Sequence, residues 1–247
     1  MFDLTGKVAL VTGAGRGVGA GIASALSQQG AKLAVNDYFP DRAEEMAESL
    51  RALGREAIAV PFDVSDGAAV DAGFRLVEES IGPVDILVNN VGTLAHGMVP
   101  QSFLKTPEDM WQKHFDNNLY GTLHCTKRAV QGMGDRGWGR IVAISSDAGR
   151  LGHYGSSIYG AAKAGMEGLM RTIAKEFGKK GVTANSIVLG LINTVPSEFS
   201  DGAEKYYSTG RIGTPDDIGA AAVYLCSDEA SWVTGHSLVV NGGFLGA

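Results

Sequence analysis

A chain of 247 residues with a net charge of −6 and no long basic run can bury a sizeable core and is poorly suited to nucleic acid or an anionic membrane surface. Its two cysteines, Cys125 and Cys226, stand far apart without a His/Cys cluster, which argues against a disulfide framework or a metal site. No apolar run approaches the roughly 18 residues of a membrane span, and the first strand signal starts at Lys7, so a soluble cytoplasmic protein without a signal peptide is expected.

The apolar stretch Lys7–Thr12 predicts a first strand, and a helix is predicted from Val18 to Gln29, stopped by Gly30. Between them lie Gly13, Gly15, Arg16, Gly17, Val18 and Gly19. Glycines at a strand-to-helix turn let the backbone approach a pyrophosphate, and the helix start offers free N–H groups and the positive end of its dipole. A second strand, Lys32–Asp37, ends on an acid. Asp37 suits the hydroxyls of an adenosine ribose and repels a 2′-phosphate, which favours NAD, with NADP the other possibility. Arg16 is either a partner for that phosphate or a solvated residue at the helix start.

Helical periodicity follows over Asp41–Leu53, a third strand over Glu56–Pro61, and a helix over Asp66–Ser80 capped by Ser65 or Asp66. The fourth strand, Val84–Val88, runs into Asn89, Asn90, Val91 and Gly92. These residues, with Asp63 and Val64 after the third strand, stand where adenine and ribose are held, or serve as turn and strand caps. A long helix is predicted over Trp111–Met133, a strand over Ile141–Ile144, and a helix running to Lys179. Strands at Val182–Val188 and Ser237–Val240 flank a helix at Asp216–Cys226. The alternation predicts one α/β domain over residues 1–247, a doubly wound parallel sheet of about seven strands with helices on both faces. The segment 189–213 is too long for an ordinary connection and reads as a substrate lid.

The chemistry concentrates where the fifth strand delivers Ser146 and the next helix delivers Tyr159 and Lys163, four apart and on one face. A free phenol is a poor base at neutral pH, so the Lys163 ammonium is expected to lower the Tyr159 pKa toward a working general acid/base. Ser146 is then available to hold the oxygen of an alcohol or ketone. A lone Tyr-x-x-x-Lys pair is weak evidence, since a solvated stripe produces it too.

Taken together, Thr12-Gly-x-x-x-Gly17-x-Gly19, Asp37, Asn89-Asn90-Val91-Gly92, Asn118-Leu119-x-Gly121, Ser146, Tyr159-x-x-x-Lys163 and Arg211-x-Gly213-x-Pro215 resemble the short-chain dehydrogenase/reductase family from end to end. The resemblance implies a Rossmann-like sheet carrying NAD(H) or NADP(H). It also implies a tetrad in which Tyr159 exchanges the proton, Ser146 orients the substrate oxygen, Lys163 binds the nicotinamide ribose and Asn118 holds a water. Ile192 and Thr194 fit the positions that meet the carboxamide. No metal is required, and the family's usual homotetramer is expected. Two departures stand out: Val91 replaces the family's alanine, and Leu189-Gly190 replaces its Pro-Gly.

The expected reaction interconverts a secondary alcohol and a ketone of a small-molecule substrate, a hydroxyacyl/oxoacyl thioester or an alicyclic alcohol. The competing readings are an NADPH-dependent 3-oxoacyl-carrier-protein reductase, with Arg136 and Lys180 as carrier contacts, and a silent nucleotide-binding sensor. Leu94, His96, Met98, Asp147, His153 and Tyr154 are the expected pocket residues, with the lid.

Overall fold

The computed structural model describes residues 1–92, 101–194 and 200–244. Seven strands form one parallel sheet: β1 (Val8–Val11), β2 (Lys32–Val35), β3 (Ala57–Ala59), β4 (Ile86–Asn89), β5 (Gly139–Ser146), β6 (Val182–Leu189) and β7 (Ser237–Val240). Their order across the sheet is β3-β2-β1-β4-β5-β6-β7, so the chain winds outward one way and returns to start the other half beside β1. The crevice beyond the carboxyl ends of β1 and β4 is the switch point at which such sheets bind ligands.

Helices α1 (Gly17–Gln28), α2 (Pro40–Ala52), α3 (Gly67–Ser80), α4 (Glu108–Phe115), α5 (Gly121–Arg136), α6 (Asp147–Arg150), α7 (Ser157–Phe177) and α8 (Pro215–Cys226) connect the strands. The two-residue period of the strands divides the core. Val11, Ile86, Val88, Val142 and Ile144 pack on one side with Ile22, Leu26 and Ile218, while Leu10, Leu87, Ile141 and Ala143 pack on the other with Phe74, Met133 and Met166. The central strands, buried on both faces, read as continuous apolar runs, while the edge strands β3 and β7 are only partly covered.

Three expectations need correction. The helix expected over Trp111–Met133 starts at Glu108 and runs to Arg136, interrupted by a π-turn at Asp116–Tyr120. α6 had no signal of its own; it is one turn, started by the Ser146 hydroxyl accepting from Ala148 N at 3.2 Å. The edge strand β3 is shorter than expected. Of the expected pocket residues, Leu94, His96, Met98 and Pro196 lie outside the described residues.

Candidate active site

The glycine turn is built by steric exclusion. A side chain at Gly19 collides with the Gly13 carbonyl oxygen, so only glycine lets α1 start this close to β1. Gly17 has φ +60°, the left-handed region, and its α-carbon faces Thr194. Arg16 is the N-cap of α1 and caps nothing with its side chain, which is exposed; Val18 follows in the first turn. The N–H groups of Gly13, Ala14 and Gly15 are bonded to Asn36 and Asp37, so the anion-binding capacity of this turn rests on the N-terminus of α1.

Neighbouring side chains brace the turn. Thr12 Oγ1 accepts from Asn90 N (3.0 Å) and Val91 N (3.2 Å), and Asn90 Nδ2 donates to the carbonyls of Thr12 (2.9 Å) and Gly13 (3.0 Å). The Asn90 amide thus staples two strand ends together, the cap reading of that residue. Val91 packs toward Gly13, a side chain there meeting its Cγ2 at 3.1 Å, so the extra bulk fills the space that glycine leaves. Asp63 is a turn cap as well, Oδ1 accepting from Ser65 N and Oγ at 2.8 and 2.7 Å, and Val64 is buried beside it.

Asp37 lies beyond the end of β2, its Oδ2 accepting from Gly15 N at 3.2 Å and its Oδ1 from Phe39 N at 3.0 Å. A carboxylate offers about four acceptor sites, so two remain for ribose hydroxyls. The sequence reading missed Arg42. A Cβ on Gly15 meets both Arg42 Cβ and Asp37 Oδ2 at 2.7 Å, and the Arg42 guanidinium lies 4.1 Å from the Phe39 ring centroid. A basic residue in the first turn after Asp37 was the available signal.

At the opposite end of the crevice, β5 and α7 bring Ser146, Tyr159 and Lys163 together, with the Ser146 hydroxyl close enough to Tyr159 to favour its phenolate. Lys163 is 1 % exposed and its Nζ donates to the Ile144 carbonyl at 2.8 Å. Asn118 sits in the π-turn; its Nδ2 donates to the His114 carbonyl at 2.9 Å, while its Oδ1 is buried without a partner. Gly92 closes the group: a side chain there collides with Lys163 Nζ and meets Asn118 Oδ1 at 2.6 Å. Glycine, lysine and asparagine therefore bound one small polar space.

The expected electrostatics are not what the protein has. The Tyr159 pKa is raised, because burial disfavours the phenolate more than the Ser146 hydrogen bond favours it. Burial also lowers Lys163 to about 7, so near neutral pH its ammonium is only partly present to attract a phenolate. Lowering the Tyr159 pKa requires a group that restores the lysine charge.

The expected lid is tethered at both ends of what is described. Ile192 is buried and pairs with Gly213, and Tyr207, also buried, accepts from Leu191 N at 2.9 Å through its hydroxyl. Ser208 N and Thr209 N donate to the carbonyls of Gly243 and Gly242. Gly190 allows this: a side chain there meets the Tyr207 ring at 3.1 Å and Asn241 Cβ at 3.2 Å. Asp147 is buried, with Asn241 Nδ2 donating to both its oxygens at 3.1 Å, so it braces the chain rather than lining an open pocket. His153 and Tyr154 are exposed, His153 resting against Phe244.

The two basic residues considered as carrier contacts differ. Arg136 is committed to the Val84 carbonyl (2.6 Å) and Asp85 (3.2 Å), whereas Lys180 lies over the Phe177 ring.

Comparison with known proteins gives a consistent result. A family model described as enoyl-(acyl carrier protein) reductase matches residues 13–245. The 3-oxoacyl-[acyl-carrier-protein] reductase of Pseudomonas aeruginosa is 35% identical, the match covering 98% of each chain. Acetoacetyl-CoA reductase of Shinella zoogloeoides is 39% identical over 96% of this chain and 98% of its own. Among solved structures, a gluconate 5-dehydrogenase from Burkholderia cenocepacia in complex with NADP and tartrate superposes with a TM-score of 0.92 at 31% identity, covering 100% of this chain and 98% of that one. With the sheet order, the glycine turn and the Ser146, Tyr159 and Lys163 cluster, these matches establish that the chain belongs to the short-chain dehydrogenase/reductase family and is an NAD(P)-dependent oxidoreductase.

Proposed function

We propose that the protein interconverts a secondary alcohol and a ketone with NAD, acting on a hydroxyacyl/oxoacyl thioester or an alicyclic alcohol. The observation that carries this reading is the convergence of Lys163 Nζ and Asn118 Oδ1 on Gly92, beside Ser146 and Tyr159. The turn of Gly13, Gly15, Gly17 and Gly19 fits a pyrophosphate, Asp37 the adenosine ribose, Asn90 to Gly92 the middle of the nucleotide, and Ile192 and Thr194 the carboxamide. When bound, the nicotinamide exchanges the hydride with the substrate carbon.

The chain's own residues do the rest. Ser146 holds the substrate oxygen and orients it toward Tyr159, which gives or takes the proton. Lys163 binds the nicotinamide ribose and, when charged, stabilises the phenolate; Asn118 holds a water next to it. Fixing these groups on β5, α7 and the π-turn gives the orientation that makes proton and hydride transfer concerted in space. We place the substrate under the 189–213 lid and take the active form to be a homotetramer.

A second reading is supported by Arg42. Its position beside Asp37, with Arg16 exposed nearby, suits a 2′-phosphate, and the relatives include 3-oxoacyl-[acyl-carrier-protein] reductases. An NADPH-dependent oxoacyl reductase is therefore the alternative. Titration with NADH and NADPH, followed by nicotinamide fluorescence, separates the two: tighter NADH binding supports the first, and a preference for NADPH replaces it with the second.

A further inference from the structure

Five buried side-chain polar atoms among the described residues have no hydrogen-bond partner. Three of them, Trp111 Nε1, His114 Nδ1 and Asn118 Oδ1, follow one another along α4 and the π-turn that continues it. Steps of three and four residues put these side chains on one face. Buried polar atoms are nearly always paired, so three in succession mark a place where polar molecules from outside the fold belong.

The inner end of this strip is the reaction centre. The His114 ring meets the Tyr159 ring edge-on with centroids 6.5 Å apart, the His114 carbonyl holds Asn118, and Asn118 Oδ1 converges with Lys163 on Gly92. The outer end is Trp111, stacked at 5.7 Å on the exposed Phe103. The strip therefore connects a buried lysine with the surface.

We propose that His114 is a proton-relay residue, lining with Trp111 a file of water that links Asn118 and Lys163 to solvent. This rests on the alcohol/ketone reading above. In the oxidative direction the alcohol O–H bond breaks and its proton passes to the Tyr159 oxygen, then through Lys163 and water to His114 Nδ1. The other ring nitrogen releases a proton to solvent, and the hydride leaves with its electron pair to the nicotinamide, so no additional oxidant is involved. The groups seen against His114 are the Tyr159 ring from α7 and Asn118 from the π-turn, with Lys163 reached through Asn118 at Gly92; the charged residues of α4 and the π-turn are Glu108, Asp109, Lys113 and Asp116. Burial lowers the pKa of both His114 and Lys163, so neither is fixed in its charged form near neutral pH.

The test compares wild type with His114→Leu and His114→Asn, by kcat and KM across pH, in the presence and absence of imidazole, with nicotinamide fluorescence reporting nucleotide binding. The relay predicts a kcat lower by about ten-fold in both variants, less than the hundred-fold or more lost with a group that itself exchanges the proton with the substrate. It also predicts unchanged KM and nucleotide affinity, loss of one ionisation from the kcat profile, and partial rescue by imidazole. Unchanged kcat overturns it, and so does a raised KM at constant kcat, which assigns the strip to substrate recognition. Should His114→Leu not fold, His114→Asn carries the comparison. Should neither fold, a wild-type kcat insensitive to D2O overturns the relay. Absence of turnover in the wild type instead sinks the parent reading.

Discussion

Lys163 shows how one buried side chain serves two needs in conflict. The fold seals its ammonium against the Ile144 carbonyl, and the loss of hydration lowers its pKa to about 7. An unfolded lysine keeps its proton to about pH 10.4, so between the two values unfolding takes up a proton and stability rises with pH, by at most about 1.4 kcal/mol per unit. Denaturant unfolding without added nucleotide should show this rise between pH 7 and pH 8, below the range in which the buried Cys125 and Cys226 thiols, pushed up to about 12, act the other way, and Lys163→Met should flatten it; equal slopes in the two proteins contradict the account. The Tyr159–Lys163 spacing was legible in the sequence, but the sign of the tyrosine shift was not, because desolvation depends on packing that no spacing encodes. Asp37 was legible too, while Arg42 was overlooked because its proximity to Gly15 arises only when α2 folds back. Replacing Asp37 with Ser removes the charge that repels a 2′-phosphate and should move the NADH/NADPH binding ratio toward NADPH by about ten-fold or more. An unchanged ratio means that Asp37 does not set the preference.

Secondary elements carry the site through connections that are mostly polar. Glu167 on α7 is buried and accepts from Ser145 Oγ and Ser237 Oγ, each at 2.7 Å, tying the helix that bears Tyr159 and Lys163 to β5 and β7. Glu167→Ala leaves two hydroxyls without their acceptor, and should cost about 2–4 kcal/mol in chemical denaturation. A loss within a few tenths of a kcal/mol refutes the strut. At α8 the Thr214–Asp217 capping box is reinforced by the Arg211 fork, two contacts of 2.7 Å that hold the Asp217 carboxyl well below its usual range. A depressed acid contributes stability above its unfolded pKa near 3.9 that disappears as pH falls toward the folded value. Asp217→Asn should therefore reduce the loss of stability seen below about pH 4; an unaltered acid limb argues against it. Apart from the helix expected over Trp111–Met133, which runs three residues further at each end, the expected strand and helix boundaries were predictable to a residue or two from apolar runs and caps. The π-turn was not, since it inserts one residue into a helix of ordinary composition, and it is the feature that delivers Asn118.

At the scale of the whole molecule, the sheet order places everything. The turn back between β3 and β4 opens the crevice beyond β1 and β4, with the glycine turn on one side and Tyr159 on the other. The parallel sheet followed from the alternation of elements and this juxtaposition from the family resemblance, whereas the clamp of the 207–209 stretch onto residues 242–244 followed from neither. That clamp joins segments whose composition gives no pairing signal. The proposed tetramer draws on surface that a lone chain leaves exposed, including Trp232 at 97 % and the edge strand β7. Light scattering should find a four-chain species, and Val239→Lys should dissociate it; a monomeric wild type contradicts the proposal. The central claim is that Tyr159 moves the proton within a site that binds nicotinamide independently of it. Its most direct test is Tyr159→Phe, assayed for turnover while nicotinamide fluorescence follows cofactor binding. The account predicts a fall in kcat of about a thousand-fold with cofactor affinity unchanged. Turnover within a few-fold of wild type would contradict it.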